Sequence, residues 1–214
     1  HPANPHFEPQ KEGSYTFKLI KGKETLEGTV ELVPDPRNPH PKEDRLLQQA
    51  TALAIYDMLA DLTFLADSVV DLRDQAEERA EALSKKEKAT LEGFAESLDE
   101  LHETLVVTEG GWISGREELR ERIGTLYGDV SGYDGRPTDS QLERMARLQN
   151  ELDAKQAEFE VESKSVDGIN RTLAKRDLEP LQRMTLEEWQ AQQEGAGGSG
   201  SLVGLVSLGL FVGL

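Results

Sequence analysis

The chain has 214 residues, with 41 Asp and Glu against 24 Lys and Arg, a formal net charge of −17 and no cysteine. Without a Lys/Arg excess to neutralise phosphates, nucleic acid and anionic lipid surfaces are poor partners. The missing cysteine removes disulfides, thiol catalysis and cysteine-ligated zinc together.

The chain opens on His1 without an apolar targeting segment. We read it as either processed or a piece of something longer. Residues 1–12 are rich in proline and lack periodicity, so they form an extended lead-in. A period-2 pattern follows over 13–37. Tyr15, Phe17 and Leu19 share one face, with Thr16 and Lys18 between them. After the turn Lys21-Gly22-Lys23, Val30 and Leu32 alternate with Thr29 and Glu31. Two alternating runs around a glycine turn predict a β-hairpin. An isolated hairpin is marginal in water, and no other convincing strand follows. Either the helices cover its apolar face or, as we expect, strands from upstream in a longer precursor or from another chain do. Pro34-Asp35-Pro36-Arg37 stops the second strand, because proline cannot donate to a ladder.

From Lys42 the period changes. A composition of 36% hydrophobic and 30% charged residues fits long amphipathic helices. Leu62, Leu65, Ala66, Val69, Ala76, Ala80 and Leu83 recur at helical spacing with no proline or glycine to interrupt them. That predicts one very long helix, or two with a tight bend near Ser84. Leu91, Phe94, Leu98, Leu101 and Leu105 then form a stripe at alternating spacings of three and four. Glu109-Gly110-Gly111 is expected to end that helix, and Ser114 with Glu117 to cap the next, whose face is Leu119, Ile123, Leu126 and Tyr127. Thr138 with Gln141 predicts a second capping box, opening a helix that presents Leu142, Met145, Leu148, Leu152 and Phe159. Val166, Ile169 and Leu173 make a short last helix. Short loops between such helices predict an antiparallel bundle over 42–181. The fold class is thus mostly α, a β-hairpin followed by a bundle of long helices.

Residues 182–201 end in GAGGSGS and have the composition of a flexible linker. Leu202 to Leu214, LVGLVSLGLFVGL, is apolar apart from Ser207 and shorter than the ~20 residues a bilayer span needs. Membrane contact through this tail is one expectation, and an incidental apolar end is the other.

No catalytic constellation emerges. His1, His6, His40 and His102 lack paired metal-ligand spacing and read as solvated. The loop Asp129-Val130-Ser131-Gly132-Tyr133-Asp134-Gly135 fails the EF-hand pattern at Tyr133. Asp129, Asp134 and Asp139 form a weak calcium candidate beside the plainer reading of a polar turn that feeds Thr138. Carboxylate runs such as Glu77, Glu78 and Glu81 read as solvated helix faces rather than paired acids in a cleft. Ser114 lacks nucleophile-elbow spacing, and the glycine-rich stretch lacks the Lys-Ser/Thr of a phosphate loop. Neither an enzyme nor a cofactor is expected.

GSYTFKL, a glycine turn and VELVPDPR leading into a long helix resemble the C-terminal part of bacterial sortilin-like, BNR-repeat β-propeller proteins, which are often described as glycosyl-hydrolase-like. LYGDVSGYDGRPTDSQLERMARLQNELD and RTLAKRDLEPL are similar to the same region. The resemblance implies that the hairpin is the last part of a β-sandwich and that the family's propeller lies outside these residues, with any hydrolase activity. It also implies an exported protein of the bacterial periplasm, outer membrane or cell surface. The tail resembles a bacterial C-terminal sorting signal of the glycine-glycine type, without the basic cluster that closes such signals. The expected function is a non-catalytic accessory module with protein partners. Its interaction residues would be Tyr15, Phe17, Leu19, Val30 and Leu32, together with Leu91, Phe94, Leu98, Leu101 and Leu105. The alternative is a self-associating coiled-coil subunit, a homo-oligomer with Leu91–Leu105 and Leu142–Phe159 as seams.

Overall fold

Strands β1 (Gly13–Lys21) and β2 (Glu24–Leu32) pair antiparallel as a two-stranded sheet in a computed structural model that describes residues 13–108 and 117–197. Lys21 lies opposite Glu24, so the connection is the two residues Gly22 and Lys23. Gly22 has φ +63°, the left-handed value that a tight hairpin turn of this length asks of its first central residue. The proline stop is itself a small structure. Asp35 accepts from the Arg37 backbone N–H at 2.9 Å and from its guanidinium at 2.7 Å, while Asn38 N–H reaches the Asp35 carbonyl at 2.9 Å. The side chain thereby stands in for the strand partner that the prolines forbid.

The chain divides into two units, one containing the hairpin and the other spanning His40–Trp189. In the second unit α1 (Lys42–Ala80) runs 39 residues, about 58 Å at 1.5 Å per residue. It ends in a tight turn in which the Ala82 and Leu83 N–H groups bond the Arg79 and Ala80 carbonyls. Ser84 then caps α2 (Lys85–Leu105), with Glu87 accepting from the Ser84 backbone N–H at 3.4 Å. The expected bend near Ser84 is therefore a full break between two antiparallel helices. Helices α3 (Leu119–Ser131) and α4 (Asp139–Glu162) follow. A short 3₁₀ turn, Ser163–Ser165, leads into α5 (Val166–Ala174), and α6 (Leu186–Gly197) is the last helix among the described residues.

Helix α1 is the spine of this unit and packs against α2, α3 and α4. Its Ile55, Leu62, Val69, Leu72 and Ala76 are fully buried. Leu91, Leu98, Leu101 and Leu105 of α2, Ile123 and Leu126 of α3, and Leu148 and Leu152 of α4 meet them in one core. Cross-links sit at the rims. Arg73 donates to Asp99 at 2.8 Å between α1 and α2, and Arg122 forks onto Glu151 at 2.6 and 2.7 Å between α3 and α4. The Arg122 guanidinium holds the Glu151 carboxyl below its ordinary range.

Several expectations change here. The stripe Leu91, Phe94, Leu98, Leu101 and Leu105 is buried inside the chain, so it serves the intramolecular core and is not an open seam for another copy. Leu148, Leu152 and Phe159 are buried in the same way. Helix α2 stops at Leu105, before the glycines, where the β-branched pair Val106 and Val107 leaves helical geometry. Helix α3 is capped by Glu118 with Glu121, while Ser114, Gly110, Gly111 and Trp112 lie outside the described residues. Thr138 and Gln141 form the expected box, with Thr138 Oγ1 accepting the Gln141 N–H at 3.2 Å. Helix α6 occupies part of the stretch read as linker. Thr185 and Glu188 cap it reciprocally, at 2.8 and 3.2 Å, and this box overrides the glutamine- and glycine-rich composition. The lead-in and the apolar tail 202–214 lie outside the described residues. No described helix is long and apolar enough to cross a membrane.

Candidate interaction surface

The hairpin register fixes which side chains share a face. Residues directly opposite in an antiparallel pair point the same way, and successive residues alternate. Tyr15, Phe17 and Leu19 therefore join Leu26, Gly28, Val30 and Leu32 on one face. Ser14, Thr16, Lys18, Thr25, Glu27, Thr29 and Glu31 lie on the other, where only Ile20 is apolar. Lys18 and Glu27, directly opposite, make an ion pair at 2.7 Å. One face is thus built for burial and the other for water.

The apolar face is nevertheless open. Phe17 is 54% exposed, Leu19 57%, Leu26 63% and Val30 52%. Gly28 has a packing reason: the Phe17 ring crosses it, and a Cβ there would meet the ring Cε1 at 2.7 Å. The aromatic covers the weak spot that glycine makes in a strand, and it leaves a flat surface across the strand pair. Among the described residues, no third strand pairs with either outer edge. A two-stranded ribbon with an open apolar face lacks the partner surface that makes such ribbons stable.

The other candidate places named from sequence have structural surroundings of their own. Asp129, Asp134 and Asp139 are all exposed, and no group of three or more acidic or histidine side chains among the described residues is arranged to hold a metal. The loop closes instead on its ring contacts. Tyr133 lies over Gly135 and meets His40 edge-on at 5.0 Å, and Gly135 and Pro137 are buried. This makes it a turn that delivers Thr138 to its cap. A groove of about 520 Å³ between α1 and α2 is lined by Glu77, Glu81, Glu92, Glu96 and Asp99, with Lys88 beside Glu92 at 3.7 Å. It is an open acidic helix face. Burial, with Asp57 and Asp153 nearby, raises the Asp61 carboxyl above its ordinary range.

His102 departs from the solvated reading. It is half-buried on α2, and its Nδ1 finds no hydrogen-bond partner among the described residues. Burial pushes its pKa down, and the Arg73 cation adds to the effect. The signal was present in sequence, since position 102 is one turn from Leu98 on the edge of the stripe. Trp189 is a packing anchor, as its residue type suggests, although it lies in the stretch read as linker. Its indole N–H donates to Asp67 at 2.7 Å and its ring meets Phe64 edge-on at 5.8 Å, so it anchors α6 to α1.

Comparisons with protein-family models, with curated proteins and with solved structures return no match for this chain.

Proposed function

We propose that the chain is a non-catalytic interaction module whose hairpin completes a β-layer supplied by a neighbouring domain. The observation that carries this is the one-sided hairpin, with a self-contained apolar face open to solvent and two unpaired edges among the described residues. A strand layer is the fitting cover. It satisfies main-chain groups along an edge and buries alternate side chains in the same step. The resemblance of GSYTFKL and VELVPDPR to the C-terminal region of sortilin-like β-propeller proteins supports a sandwich as that layer, and with it an exported protein held at the cell envelope. The bundle then acts as an acidic helical extension hung from the Asp35–Arg37 turn.

A photo-crosslinking side chain at Leu19, introduced in the protein in its native source, tests this. Crosslinks are expected to strand residues outside 13–32, on the same polypeptide or a tightly bound partner. Crosslinks confined to residues 40–189 would overturn the reading.

A further inference from the structure

Residues 178–185 join α5 to α6 without regular structure, so their main-chain groups need partners from elsewhere. Two side-chain amides supply them. Asn170 donates from Nδ2 to the Leu181 carbonyl at 3.0 Å and accepts the Leu181 N–H on Oδ1 at 2.7 Å. Gln75 does the same for Gln182, donating to its carbonyl at 2.9 Å and accepting its N–H at 2.8 Å. Each amide pairs with the donor and acceptor of a single residue, as a neighbouring strand would. Arg79 adds a bond from Nε to the Glu179 carbonyl at 2.9 Å.

The covered side chains recur at every third position, Leu178, Leu181 and Met184. Leu181 is buried in the core. Arg183 pairs with Glu160 and lies 5.5 Å over the Phe159 ring. Trp189, held by Asp67 and Phe64, is the second anchor. An irregular backbone bracketed by amides and leading into the first turn of a helix, with an aliphatic and an aromatic anchor, offers the contacts by which a groove holds a peptide ligand.

We infer that residues 178–189 are a cis-bound peptide seated in a groove of α1, α4 and α5, and that the same segment of a second copy of this chain fills that groove by exchange. The hinge is in place. Residues 174–177 are exposed, and Asp177 sits at φ +54°, a left-handed conformation that costs a residue with a Cβ. Trp189 is also where the helical unit ends. Exchange keeps every contact named above and changes only the hinge, so the balance is set by concentration.

The test uses the full chain and a fluorescent synthetic peptide of residues 178–190 with the natural sequence. Leu181→Asp removes the apolar anchor of the cis segment and leaves the groove intact. The peptide is expected to bind this variant about tenfold or more tightly than the wild type, whose groove is occupied. Adding Gln75→Ala and Asn170→Ala to Leu181→Asp should abolish that binding while the far-UV circular dichroism stays helical. A folded Leu181→Asp variant that binds no better than wild type overturns the inference, as does a Leu181→Asp variant that loses the bundle's helical signal. Wild type melted and cooled at high concentration should yield a dimer fraction that Leu181→Asp lacks. A dimer that persists in Leu181→Asp, or a wild type that stays monomeric, overturns the exchange.

Discussion

The hairpin and the helical unit carry equally clear amphipathic patterns, and they end in opposite states. Leu62, Leu98 and Leu152 are fully buried, whereas Leu19 and Leu26 are more than half exposed. Pattern alone does not account for this. A helix stripe of the α1 kind meets three neighbours from its own chain, while a ribbon two strands wide has none beside it in its sheet. Periodicity reports which face must be buried, and the rest of the chain decides whether it is.

The sharpest way to break that contrast is a pair of truncations. Leu98→Ala should cost about 2–5 kcal/mol of bundle stability, the range for emptying a fully buried leucine site. Leu19→Ala should shift the same urea transition by less than about 0.5 kcal/mol, because its side chain is already in water. Equal losses would show that the hairpin is part of the bundle's cooperative unit. Next comes Thr138→Ala, which removes a cap without touching the core and should cost about 1 kcal/mol in the same transition.

A pH titration separates the helical unit by a different route. His102 has its folded pKa lowered from 6.5 by burial first and by Arg73 second, with Arg120 adding to and Asp99 and Asp67 opposing the shift. As pH falls through 6.5 the unfolded chain takes up a proton that the native site resists. Stability is therefore full above about 6.5 and declines below it. Denaturation midpoints at pH 7.5 and 5.5, conditions of about neutral and mildly acid solution, should differ more for wild type than for His102→Gln. An equal pH dependence in both would remove His102 from the account. The smallest effect belongs to Asp177→Gly. Relief of about 1 kcal/mol of left-handed strain, offset by the entropy of glycine, should leave a gain of about 0.5 kcal/mol in the bundle melt. A loss on that substitution would mean that the Asp177 side chain stabilises the hinge.

Much of the fold was legible from local signals. The turn at Gly22, the break at Ser84 and the Thr138–Gln141 box each follow from short-range chemistry that neighbouring residues complete. What escaped was set by contacts distant in sequence. Helix α6 was hidden under linker-like composition, although Thr185 and Glu188 carried a capping signal. The 178–185 segment has no periodicity, and its order comes from Gln75, 107 residues away from the Gln182 that it brackets. The stripe of α2 was visible, but its destination was not, because a seam for another helix and a core face read alike in sequence. The apolar face of the hairpin was read directly, and Leu26 joins it only through the register.

Hydrogen exchange measured by mass spectrometry on the 214-residue chain tests the central claim most directly. Amides of 13–32 should exchange at close to the intrinsic rate, while those of α1 and α2 are protected to near the global unfolding free energy. Protection of the hairpin equal to that of α1 and α2 would show that its partner surface is already present in this chain, and would contradict the account.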